Sequence, residues 1–215
     1  MLAQDRTPEA SELHARCAKP ASSWAKRAVD VVGALSALVL FLPLLAVIAL
    51  IIRVESSGPA VFRQRRGGLN GKPFTIYKFR TMRALEDGDV IEQAKRADPR
   101  ITPFGAILRR TSMDELPQLV NVLLGDMSLV GPRPHALAHD RFYEQLIPNY
   151  SGRLRTRPGL TGLAQVAGLR GETRELSQMA ERVHYDLRYI EEWSIVLDIK
   201  LLAGTVQALR SQGAR

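Results

Sequence analysis

Val31-Val32-Gly33-Ala34-Leu35-Ser36-Ala37-Leu38-Val39-Leu40-Phe41-Leu42-Pro43-Leu44-Leu45-Ala46-Val47-Ile48-Ala49-Leu50-Ile51-Ile52 is uncharged throughout, with Asp30 just outside it and Pro43 near its middle. At roughly 1.5 Å per residue, about 22 helical residues reach across a bilayer core. The run is too long for the apolar part of a typical cleaved signal peptide, and no good small-residue cleavage site is present, so an uncleaved anchor is the default. Two features point elsewhere. Pro43 removes a backbone bond and bends a helix. Both flanks are basic, with Lys26 and Arg27 before and Arg53, Arg63, Arg65 and Arg66 after, so charge does not choose which end stays inside. A segment that enters, turns at Pro43 and leaves by the same face satisfies both ends. Pattern alone leaves the spanning and the re-entrant forms open.

Around this run the chain divides simply. Residues 1–23 are polar and weakly patterned and read as a flexible tail. Residues 24–57 form the membrane segment, ended by Gly58-Pro59. Residues 58–210 make one domain with a modest core, and 211–215 a short tail. The net charge of +8 over 215 residues calls for an anionic partner: nucleic acid, an anionic membrane face or a phosphorylated substrate. Aromatics are only 6%, and none interleave with a basic run as single-strand binding requires. There is no zinc-ligand spacing, no Walker loop and no GxGxxG. One cysteine, Cys17, excludes an internal disulfide.

After Pro59, Val61–Gln64 and Phe74–Phe79 read as strands, with Gly67, Gly68 and Asn70-Gly71 supplying hairpin turn chemistry. Alternation puts Lys78 and Arg80 on one face, as a phosphate contact or as a solvated cationic edge. Residues 84–98 are polar and carry Glu86, Asp87, Asp89 and Glu92, as a surface loop, an exposed helix or a lid. Thr102-Pro103 starts a helix that turns Phe104, Ile107 and Leu108 inward and ends at Arg109-Arg110. A second helix carries Leu119, Val120, Leu123 and Leu124 and closes at Gly125. Pro132 and Pro134 hold Arg133 in an extended backbone, so its guanidinium fork is stiffly presented. An amphipathic helix over Ala136–Ile147 stops at Pro148, with His135 and His139 four apart. Two glycines in Pro158-Gly159-Leu160-Thr161-Gly162 mark a connector or a tight loop whose N–H groups approach a phosphate. Thr173–Tyr189 is helical and keeps His184 at the surface. Ser194 caps a last helix whose Ile195, Val196, Ile199, Leu202 and Val206 form an apolar stripe for the core or a membrane surface.

The chemistry concentrates in Arg109-Arg110-Thr111-Ser112-Met113-Asp114-Glu115-Leu116-Pro117-Gln118. Two cations, two hydroxyls and two adjacent carboxylates there suit phosphoryl transfer, with a carboxylate to attack or to hold a metal. The same Ser112-x-x-Glu115 is a capping box that serves any ordinary helix start. Pro117 argues for a later start or a break, either of which leaves Asp114 at a helix N-terminus.

Together these blocks resemble the bacterial sugar transferases, the monotopic phosphoglycosyl transferases. The matching pieces are the apolar segment before Arg53, Tyr77-Lys78-Phe79-Arg80-Thr81-Met82, Arg109 through Gln118, Gly125-Asp126-Met127-Ser128-Leu129-Val130-Gly131-Pro132-Arg133-Pro134 and Arg157-Pro158-Gly159-Leu160-Thr161-Gly162. Tyr189-Ile190, Trp193-Ser194 and Leu197-Asp198-Ile199-Lys200 fit as well. The resemblance implies an α/β, mainly helical protein: a re-entrant helix–break–helix hinged at Pro43, and a small membrane-surface catalytic domain with a short β-hairpin and amphipathic helices. It implies Mg²⁺-dependent transfer of a sugar-1-phosphate from a UDP-sugar to polyprenyl phosphate, releasing UMP. Asp114 would be phosphorylated by the sugar-phosphate and Glu115 would hold Mg²⁺, with Asp114 beside it. Arg109 is linked to polyprenyl phosphate and Arg133 to the nucleotide diphosphate. Lys78, Arg80, Arg110, Arg157 and Thr161 complete the expected substrate contacts.

The implied location is the cytoplasmic face of a bacterial inner membrane, with anionic phospholipid as a partner and no nucleic acid; a homodimer is left open. Leu42 stands where many relatives have serine, and Leu163 where many have tryptophan. Gly168-Leu169-Arg170-Gly171-Glu172-Thr173 resembles relatives that transfer hexose-1-phosphates. Two alternatives compete: a non-catalytic, membrane-anchored basic adaptor, and direct transfer with the acidic pair serving only as metal ligands.

Overall fold

A computed structural model describes residues 19–83, 98–171, 173 and 175–213. Cys17 and residues 84–97, expected as tail and as loop or lid, lie outside the described residues. Helix α1, Trp24–Glu55, has 32 residues and begins at Ser23, whose Oγ accepts from the Lys26 N–H. It is long and apolar enough to cross a membrane by length and composition. The expected break at Pro43 is absent: the helix runs through it. Proline deletes only its own N–H bond, and the flanking turns keep theirs. Burial along α1 is nevertheless divided. Lys26, Asp30 and Ala34 are buried, as are Ile48 and Ile52, whereas Val39–Pro43 are all exposed.

Lys19–Ser22 make one helical turn before α1, so the expected tail is ordered at its end. Strands β1, Val61–Gly67, and β2, Pro73–Phe79, pair antiparallel from Val61↔Phe79 to Gly67↔Pro73. Their turn uses Asn70 and Gly71 at φ of 55° and 73°. Helix α2, Pro103–Thr111, starts where expected: the Thr102 Oγ1 accepts from the Gly105 N–H at 3.0 Å. Leu108 is buried, but Ile107, expected inside, is 47% exposed. A 3₁₀ turn at Met113–Glu115 leads into α3, Gln118–Leu124, which closes at Gly125 with φ 90°.

Strand β3, Ser128–Val130, pairs in parallel with β4, Gly159–Thr161, an arrangement not expected from the sequence. Two N–H groups there serve the pairing: Gly131 donates to the Thr161 carbonyl and Gly159 to that of Pro132, both at 2.8 Å. The two backbones lie so close that a Cβ at Gly159 would come 2.0 Å from the Gly131 nitrogen. The Gly159 N–H, one of those expected to approach a phosphate, is thus engaged in a strand pairing.

Helix α4 covers Leu137–Leu146, and a 3₁₀ segment follows at Tyr150–Arg155. Then come α5, Leu163–Val166, α6, Leu176–Glu192, and α7, Ile195–Gly213, which runs into the expected C-terminal tail. The main core joins Ala34 of α1 to Ile76, Leu119, Val122, Met127, Val130, Tyr189 and Leu201. A second core joins Ile48 and Ile52 of α1 to Phe79 and Leu108. The stripe expected on α7 is split: Leu202 packs on the core, while Val196 and Ile199 are 60% and 58% exposed.

Candidate active site

The acidic pair sits on the 3₁₀ turn between α2 and α3. Ser112 does not cap it. Its backbone is left-handed, at φ 59°, and its N–H closes α2 on the Arg109 and Leu108 carbonyls. An N-cap needs an extended backbone, so the capping box does not form. Glu115 turns inward instead, to 6% exposure. Its Oε1 accepts from Lys78 Nζ at 3.0 Å and from Arg133 Nη2 at 2.8 Å. Its Oε2 accepts from Arg170 Nη2 at 3.1 Å and Arg133 Nη1 at 3.5 Å.

Strand alternation aims Lys78 at this carboxylate, and the Pro132–Pro134 segment aims Arg133. Burial pushes the Glu115 carboxyl up, but Arg133, Lys78 and Arg170 outweigh it and hold the group well below the ordinary range. Burial likewise pulls the Lys78 ammonium down, against the pull of Glu115. Asp114, half-buried, moves the other way. Its burial and the Glu115 charge raise it against the pull of Lys78, Arg109 and Arg133. Two neighbouring carboxylates thus have opposed proton affinities, the pattern expected where each has its own task.

A buried polar cluster stands behind Arg133. Arg153, 2% exposed, donates to the Arg133 carbonyl and to Asp186 Oδ2 at 3.0 Å through Nε and 2.8 Å through Nη2. Its Nη1 also donates to His135 Nδ1 at 3.0 Å, and Tyr150 donates to Asp140 Oδ1 at 2.8 Å. His135 is thereby engaged within the core through Nδ1.

The other expected residues divide. Arg109 is exposed near Asp114, with Nη1 3.7 Å from Met82 Sδ. Arg110 is exposed on the last turn of α2, and no described contact joins it to the acidic pair. Arg80 lies elsewhere: it donates to the Ser56 and Ser57 carbonyls at 2.7 Å and to that of Ile52 at 3.4 Å, tying off the end of α1. Arg157 bonds the Gly125 and Ala21 carbonyls, each at 2.9 Å, and Thr161 bonds Thr205 at 2.7 Å. These three are held in backbone and helix contacts, so the site gathers Lys78, Asp114, Glu115 and Arg133, with Arg109 at its edge. Arg170, Arg153 and Asp186 were not expected as site residues; Arg170 stood out only within the Gly168–Thr173 run that resembles hexose-1-phosphate-transferring relatives, with no contact assigned to it.

As a metal site the pair is incomplete by itself. Among the described residues no group of three or more His, Cys, Asp or Glu is placed to hold an ion. Two hard carboxylates suit a cation that shares its shell with substrate phosphates and water.

The model of the bacterial sugar transferase family matches residues 21–212. The chain belongs to the bacterial sugar transferases. It is 56% identical over 184 residues to a Caulobacter vibrioides UDP-glucose:undecaprenyl-phosphate glucose-1-phosphate transferase, covering 86% of this chain and 69% of that protein. It is 52% identical over 181 residues to the Escherichia coli K12 protein of the same name, covering 84% of this chain and 39% of the relative. An exopolysaccharide production protein of Rhizobium leguminosarum is 49% identical over 192 residues, covering 87% of this chain and 96% of that one. This sugar transferase thus spans well under half of its Escherichia coli relative and nearly all of the Rhizobium one.

Proposed function

We propose that this sugar transferase moves a sugar-1-phosphate from a UDP-sugar to polyprenyl phosphate through an aspartyl-phosphosugar on Asp114. A carboxylate oxygen of Asp114 attacks the β-phosphorus. The bond from that phosphorus to the bridging oxygen breaks, and UMP leaves with the electron pair. An oxygen of polyprenyl phosphate then attacks the same phosphorus and frees Asp114. The observation that carries this reading is that every described ion pair of the acidic pair falls on Glu115, leaving the Asp114 oxygens available for attack. Mg²⁺, held by Glu115 and Asp114 with the donor phosphates, would neutralise charge developing at the β-phosphate. Lys78 and Arg133 add fixed positive charge beside it.

The membrane assignment rests on α1. Although α1 is unbroken at Pro43, its Lys26–Ala34 and Ile48–Ile52 stretches both pack on one domain while Val39–Pro43 stand exposed, which favours both helix ends at a single face, the cytoplasmic face of a bacterial inner membrane. The relatives' names support hexose-1-phosphate transfer to undecaprenyl phosphate.

The test is a rapid-quench experiment without acceptor. Enzyme, Mg²⁺ and UDP-glucose should release a burst of UMP, at most one per site, and intact mass should rise by one hexose-phosphate located on Asp114. Asp114→Asn should lose burst and adduct, because an amide is a poor nucleophile. Robust turnover with polyprenyl phosphate but no burst or adduct would reassign Asp114 as a metal ligand in direct transfer. Full turnover by Asp114→Asn would end both enzyme readings.

A further inference from the structure

Three cations converge on Glu115, and the resemblance assigns a substrate contact to only two of them. Lys78 and Arg133 reach it from β2 and from the Pro132–Pro134 segment. The third, Arg170, comes from the connection between α5 and α6. Three positive charges against two carboxylates leave a local excess that a further anion would neutralise.

The backbone on either side of Arg170 is tied down. The Leu169 N–H donates to the Ala164 carbonyl at 2.9 Å, and the Gly171 carbonyl accepts from Arg182 Nη2 at 3.0 Å. Gly168, at φ +89°, supplies the turn that precedes it. Arg182 is only 6% exposed on α6. Burying a guanidinium is costly, and the described hydrogen bond of this one is to the Arg170 loop.

We propose that Arg170 is a donor-binding residue that contacts the β-phosphate of the UDP-sugar, aimed there by Arg182. Glu115 occupies its guanidinium until a donor arrives. The proposal rests on the transferase reading above. When Glu115 turns to a metal, its cations need other anions, and the donor diphosphate brings them to the same place. The donor is favoured over the lipid acceptor by position. Arg170 shares Glu115 with Arg133, whereas Arg109 lies on the Asp114 side and is absent from the described partners of Glu115.

The test measures binding, not turnover. In full-length Asp114→Asn protein, which should leave the donor intact, calorimetry with Mg²⁺ compares UMP, UDP and UDP-glucose. Adding Arg170→Gln should weaken UDP and UDP-glucose about tenfold or more, the usual loss for a charge-assisted bond, and UMP by less than about twofold. Arg170→Lys should recover part of the loss, and it carries the comparison if the glutamine variant does not fold. Arg182→Gln should weaken UDP as well, and should add little on top of Arg170→Gln, because the two act as one unit. Unchanged UDP affinity, or an equal loss for UMP, would leave Arg170 as a mere counter-charge for Glu115 and overturn the proposal. A parent that binds none of the three nucleotides would sink the transferase reading and this proposal with it. A parent that binds them while Arg170→Gln matches it would sink this proposal alone.

Discussion

Arg133 is fixed twice, by the prolines on either side and by Arg153 on its carbonyl, so its two-nitrogen grip on Glu115 is a property of its geometry as much as of its charge. Lysine keeps the charge and loses the fork. Arg133→Lys should lower kcat/KM for the UDP-sugar by about 1.5–3 kcal/mol of transition-state stabilisation, the range for a charged hydrogen bond. Initial rates at sub-saturating donor measure it, and wild-type values would remove Arg133 from the site. Asp114 makes a separate prediction. Its burial and the adjacent Glu115 raise its proton affinity above an ordinary aspartate's, with a reference value of 3.8. A protonated carboxyl does not attack, and in the metal-free protein Asp114 should take up its proton above 3.8, as NMR of the side-chain carboxyl carbon reads directly. Glu115, held down by three cations, stays ionised over that window. A midpoint at or below 3.8 without Mg²⁺ would contradict the raised proton affinity of Asp114.

At the scale of elements, α4, the Tyr150–Arg155 segment and α6 enclose the cluster that backs Arg133. His135 is neutral there: burial lowers its proton affinity well below the reference value of 6.5, and Arg153 adds to the effect. The unfolded chain titrates near that reference value. Below it the unfolded state binds the extra proton, so stability falls as pH falls from about 7 toward 5, at most by about 1.4 kcal/mol per pH unit from this group. His135→Gln, which still offers Arg153 an acceptor, should flatten that slope in detergent melts; an unchanged slope would mean His135 is charged when folded.

Elements with strong local signals were legible. Thr102-Pro103 and Gly125 mark real helix ends, and Asn70-Gly71 a real hairpin turn. The three-residue strands β3 and β4 were not, because so short a pairing leaves no periodicity and depends on two glycine backbones meeting. Arginines misled for a related reason. Arg80 and Arg157 bind carbonyls at the end of α1, after α3 and before α1, and no spacing separates such a clamp from a phosphate ligand. The acidic pair was legible as two carboxylates among cations, but only the left-handed Ser112 decides against the capping box.

For the whole molecule the question is how α1 meets the membrane, and the residues at its start carry much of the answer. Lys26 and Arg27 read as a basic membrane flank, yet both are engaged in the domain. Lys26 Nζ lies 2.7 Å from Asp198 Oδ2, 3.1 Å from the Tyr189 hydroxyl and 3.0 Å from the Val130 carbonyl. Arg27 donates to the Val122 and Leu123 carbonyls at the end of α3. The far limb is held by Ile48 and Ile52 against Phe79 and Leu108. A spanning α1 would have to strip one limb from the domain. For the first limb this means breaking the buried Lys26–Asp198 pair, which costs about 3–5 kcal/mol when one charge is left behind. We therefore expect both ends at the cytoplasmic face. In spheroplasts an impermeant maleimide should miss Cys17, the sole thiol, and a C-terminal tag should be shielded from protease. Labelled Cys17 with a shielded tag would mean a spanning helix. Pro43→Leu restores the missing backbone bond and favours a straight helix, but the docked limbs oppose it, so only a minority of molecules should expose Cys17. Pro43→Leu with Lys26→Met removes one docking contact as well and should raise that fraction clearly. If the double variant labels no more than Pro43→Leu alone, the Lys26 contacts do not hold the first limb, and the topology rests on the proline and the second limb.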